Sequence, residues 1–190
     1  MHAFDYIITL LSFVYALAIA HLLATIAELV RARRRVRVSW LNAAWMLIGL
    51  LTAIAWWIGM WDMRGISAWS TSLIGFLFIT AFVIYLQIRL VCPAVPPEGE
   101  IDLPAFHREN AREYITAFAV TAFLSVVTNM WFGEMTSVRE TIVQNMAVAP
   151  MVAIAVIAAI SFRPWVQAGA AVAELLLWGW YFATLQSALT

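Results

Sequence analysis

Two ionisable side chains stand deep inside apolar stretches, His21 and Glu174. Each heads a polar stripe at helical spacing: His21, Thr25 and Glu28 on one segment, and Gln167, Ala171, Glu174, Trp178 and Tyr181 on another. Spacings of i, i+4 and i+7 put such residues on a single helix face. At 1.5 Å per residue, both groups fall roughly 3–5 Å to the inner side of the midplane of their segments. An imidazole and a carboxyl at one depth in a bilayer can hydrogen-bond, relay a proton or hold one ligand. The sequence therefore predicts that His21 and Glu174 face each other, directly or through one intervening group. A plainer role is a buried polar pair that only fixes helix register.

A second polar layer lies toward the other end of the segments. Thr121, Ser125, Thr128 and Asn129 share a stripe, and Gln144 and Asn145 reach the depth of Asn129. Hydrogen bonds between neighbouring helices are the ordinary use of such residues. Ten tryptophans form the compositional oddity. Most fall near segment ends, where an aromatic belt accounts for them. Trp45, Trp178 and Trp180 lie deeper and, with Tyr181, are candidate contacts for a flat hydrophobic ligand such as a quinone, carotenoid or chlorophyll-type pigment. Helix packing is the competing explanation.

Other chemistry is bounded by what the chain holds. There is no lysine, so no Schiff base can form and a retinal protein is excluded. The single Cys92 rules out an intramolecular disulfide and any cysteine-based metal cluster. A bis-histidine haem needs two histidines at one depth, which only two copies of His21 would supply at a subunit interface. No nucleophile with an adjacent base, no paired intramembrane carboxylates and no HExxH occur, so the sequence points to no catalytic residues and no metal ligands. His107, in a polar turn, reads as a solvated surface histidine.

The elements that must position these residues are membrane helices. A chain of 190 residues, 64% hydrophobic and 12% charged, with mean hydropathy +0.88, is not a soluble domain. The predicted fold is all-α, a single domain over 1–190: a bundle of six transmembrane helices at about 4–30, 40–61, 69–91, 103–132, 138–162 and 165–188. A Pro-rich acidic linker, 92–102, divides it into two three-helix halves with no clear internal repeat. Asp102 is placed to cap helix four, with Pro104 in its first turn. Pro150, mid-helix in this reading, is expected to kink helix five. Basic residues follow the first helix, so it is not a cleaved signal peptide.

Net charge is zero, and nothing points to nucleic acid. With the N-terminus outside, nine arginines gather on the inner side: Arg31, Arg33, Arg34, Arg35, Arg37, Arg89, Arg108, Arg112 and Arg163. Only Arg64 and Arg139 remain outside. The positive-inside rule then places both termini on the outer, periplasmic side of a bacterial inner membrane. The run Arg31–Arg37 would lie against anionic headgroups, or simply set topology. Two functional classes follow. One is a non-catalytic scaffold or hydrophobic-ligand-holding component, packed against other membrane subunits or copies of itself. The alternative is a small oligomeric transporter or channel, proton-coupled through the His21–Glu174 layer.

Overall fold

The structure is a computed structural model and describes residues 3–66, 68–132, 142 and 145–185. Its described residues include six α-helices: α1 Ala3–Arg31, α2 Trp40–Gly59, α3 Thr71–Val91, α4 Leu103–Phe132, α5 Val148–Ile160 and α6 Pro164–Leu185. Among the described residues four stretches are long and apolar enough to cross a membrane: Phe4–Arg31, Trp40–Gly65, Thr71–Val91 and Leu103–Trp131. α5 has 13 residues, a rise of about 20 Å, short of the hydrocarbon core. α6, which carries Gln167 and Glu174, is not among the four. The all-helical expectation is met, and the helices fit a membrane protein. Around them an apolar exterior including Leu10, Phe13, Leu17, Ile79, Phe82 and Leu176 is left exposed, a band that lipid would cover.

Helix ends follow local chemistry. Ser39 and Ser70 cap α2 and α3, accepting from the backbone N–H of Asn42 (3.3 Å) and Leu73 (3.2 Å). Asp102 caps α4 through the Ala105 N–H at 2.9 Å, with Pro104 in the first turn. Residues 93–100 are irregular, in keeping with their three prolines, Pro93, Pro96 and Pro97. A 3-10 turn, Met60–Gly65, follows α2. Pro150 departs from expectation. The chain turns at Met146 and Ala147, and α5 begins at Val148. Pro150 thus stands in a first helical turn, where its missing N–H breaks no bond, instead of kinking a helix centre.

One element was not anticipated. Val36–Arg37 pairs in parallel with Ile101–Asp102, joining the chain after α1 to the chain before α4. Arg35 reinforces the join, donating to the carbonyls of Gly99 (2.7 Å) and Pro96 (3.3 Å). Gly99 itself has φ +91, a left-handed conformation open to glycine. Arg37 pairs with Asp102 at 2.5 Å. Part of the basic run therefore holds the linker.

In the bundle, α3 lies between α1 and α4, and α4 packs along α5. α2 packs against α1, α3, α4 and α6, and α5 against α6. Gly49 lets α2 close on α3: a Cβ there would stand 3.4 Å from Ile88 Cγ1. Asn42, fully buried, ties the start of α2 to the end of α3 by donating to the Val91 carbonyl at 3.1 Å.

Candidate functional site

The interior face of α6 carries the stripe read from the sequence: Gln167, Ala171, Glu174 and Trp178 are all buried. Gln167 serves the turn before its own helix, its Nε2 donating to the carbonyls of Ala158 (2.6 Å) and Ser161 (2.8 Å). Glu174 is fully buried, and neither carboxyl oxygen has a hydrogen-bond partner among the described residues.

His21 is not its partner. The Arg89 Nη1 at the end of α3 stands 3.0 Å from both ring nitrogens of His21. α1 turns this face toward α3, and α2 packs against both α1 and α6, which share no extensive contact of their own. No direct His21–Glu174 hydrogen bond forms among the described residues. Thr25, buried, donates back to the His21 carbonyl at 3.0 Å, and Glu28 is exposed. Arg89 was legible only as a topology marker, yet a cation in the last turn of a helix reaching the depth of His21 was the signal for this contact.

What does converge is a cavity of about 550 Å³ enclosed by α2, α4, α5 and α6. It lies at the end of the bundle where α2 gives way to the 3-10 turn. α4 contributes Thr121, Ser125, Thr128 and Asn129, the polar stripe of the sequence, together with Phe118. α6 contributes Trp178 and Tyr181, α2 Thr52 and Trp56, and α5 Val148 and Met151. Asp62, exposed on the 3-10 turn, also lines the cavity, at its solvent-facing rim. Glu174 is not in the wall; it lies four residues from Trp178, about 6 Å further along α6. Compared with protein-family models, with curated proteins and with solved structures, the chain matches none of them.

The remaining candidates distribute unevenly. Asn129 donates from Nδ2 to Asn145 Oδ1 at 3.2 Å, joining α4 to the turn before α5. Gln144 lies outside the described residues. Trp178 packs edge-on to Tyr181 (5.5 Å, 82°) and beside Phe182 (5.7 Å). Its indole N–H has no partner among the described residues. Trp45 is core, wedged against Phe118 (5.6 Å) and Tyr114 (6.1 Å), and takes no part in the cavity wall. Trp180 points to the other face and is 40% exposed. Thr52 and Asp62 went unrecognised; a lone threonine in the middle of helix two was the available signal.

His107 also departs from expectation. It is 5% exposed, and its Nδ1 hydrogen-bonds the Tyr114 hydroxyl, seven residues along the same face. A histidine in a polar turn is read as solvated until the neighbouring helices that cover it are known.

Proposed function

We propose that this protein is a non-catalytic integral membrane protein that holds an amphipathic small molecule in the cavity between α2, α4, α5 and α6. The observation that carries the reading is the wall itself. Aromatic faces from Trp56, Trp178 and Tyr181 alternate with hydroxyls from Thr52, Thr121 and Ser125 around a space within the range of small-molecule sites. A six-span topology with both termini outward in a bacterial inner membrane is the orientation favoured by the nine-to-two arginine bias. In that orientation the cavity opens outward. The exposed apolar flanks of α1 and α3 suit contact with lipid or with neighbouring subunits of a larger assembly. Transport through a midplane relay has less support, since His21 contacts Arg89 rather than Glu174 and the cavity wall stops short of Glu174.

Cavity filling tests the reading. Ala122, buried in the α4 wall, becomes the bulk that occupies the space in Ala122→Trp. Small molecules retained by the gently purified wild type are expected in its mass spectrum and absent from the folded variant. Identical retention by both proteins, or none by either, refutes the proposal.

A further inference from the structure

The polarity of the cavity wall specifies its guest more narrowly than its size does. A hydroxyl carries one donor hydrogen and two acceptor lone pairs. In this wall each serine and threonine hydroxyl directs its hydrogen to the carbonyl four residues back on its own helix. Thr52 donates to Ile48 at 2.7 Å, Thr121 to Ala117 at 3.0 Å, Ser125 to Thr121 at 3.2 Å and Thr128 to Leu124 at 2.8 Å. What these four groups present to the cavity is therefore lone pairs.

The charge balance runs the same way. Among the described residues of the wall, Asp62 is the one charged residue and none is an arginine or a histidine. Arg64, two residues on, is engaged by Trp61, with its guanidinium 5.0 Å from the ring centre and Nη1 donating to the Trp61 carbonyl. Trp56, Trp178 and Tyr181 add ring faces, which attract cations through the ring quadrupole. Against these acceptors stand the indole N–H groups of Trp56 and Trp178, the latter buried and without a partner among the described residues. An anion would meet lone pairs and a carboxylate; a neutral amphiphile would leave the rim charge unanswered.

We propose that the cavity takes a lipophilic organic cation, an ammonium group on an apolar body, with Asp62 at the rim and the ring faces of Trp56, Trp178 and Tyr181 as its recognition elements. This rests on the reading of the cavity as a ligand site. The cation's N–H or polarised C–H groups meet the hydroxyl lone pairs, and its apolar body lies along Phe118, Ala122 and Met151.

The test uses three probes of one skeleton: 4-phenylbutylammonium, 4-phenylbutanol and 4-phenylbutyrate. Binding is measured at neutral pH to the full chain in phosphatidylcholine nanodiscs, with empty nanodiscs subtracted. The ammonium is expected to bind about tenfold more tightly than the alcohol, and the carboxylate most weakly. Asp62→Asn should weaken the ammonium while leaving the alcohol unchanged, and Ala122→Trp should abolish saturable binding of each. Equal affinities for the three probes, or an ammonium affinity indifferent to Asp62→Asn, overturn the cation assignment and leave a ligand cavity standing. Absence of saturable binding by every probe, or binding that survives Ala122→Trp, overturns both.

Discussion

Replacing Glu174 by methionine should stabilise the protein. Glu174 is fully buried, and both of its carboxyl oxygens lack a hydrogen-bond partner among the described residues. A buried polar group left without partners costs roughly 1–3 kcal/mol. Methionine is unbranched, of similar length and adaptable to an irregular gap. Glu174→Met should therefore raise the free energy of unfolding by about 1–3 kcal/mol. Glu174→Ala should lower it, because it opens a cavity in a packed interior. His21→Ala combined with either should be additive within about 0.5 kcal/mol, since His21 contacts Arg89 and not Glu174.

The lone cysteine supplies the assay. Cys92 is buried at the end of α3. Burial pushes its thiol up to about 11, against smaller opposing pulls from the Thr25 hydroxyl and Arg89. The thiolate is the reactive form, so a fluorogenic maleimide should label Cys92 only as the chain opens. Labelling is followed against an unfolding detergent titration for wild type, Glu174→Met, Glu174→Ala, His21→Ala and the double variants. A loss of stability in Glu174→Met, or a coupling above about 1 kcal/mol with His21→Ala, would refute the reasoning, because either requires a stabilising interaction at the carboxyl.

Two further outcomes are expected from the same titration. Asp102→Ala should lower stability by about 0.5–2 kcal/mol because it removes the α4 cap, whereas Arg37→Ala, with a side chain 60% exposed, should cost at most about 1 kcal/mol; equal effects would mean that the ion pair, not the cap, matters. At the α2–α3 contact, Gly49→Ala should be tolerated, while Gly49→Leu should lose about 1–3 kcal/mol by forcing α2 away from Ile88. Indifference to the leucine would count against that close approach.

The sequence by itself determined the helical class, the apolar segments, the irregular linker at 93–100 and the Asp102 cap. It also placed Gln167, Ala171, Glu174 and Trp178 on one face, which is the face α6 buries. These properties follow from local rules: the 3.6-residue period, the missing N–H of proline and the geometry of a helix start. Tertiary structure decided everything that depends on how one helix is turned toward another. Equal depth made His21 and Glu174 look like partners, but depth is one coordinate, and α2 packs against both their helices while Arg89 approaches His21 from α3. The same holds for Trp45 and Trp178, alike in the sequence, one wedged between Tyr114 and Phe118 and the other on a cavity wall. The period along a helix says which residues share a face. Which neighbour that face meets is set by non-periodic features such as Gly49, the clamp of Arg35 on the linker and the late start of α5 at Val148, whose effects appear only when all the helices are packed together.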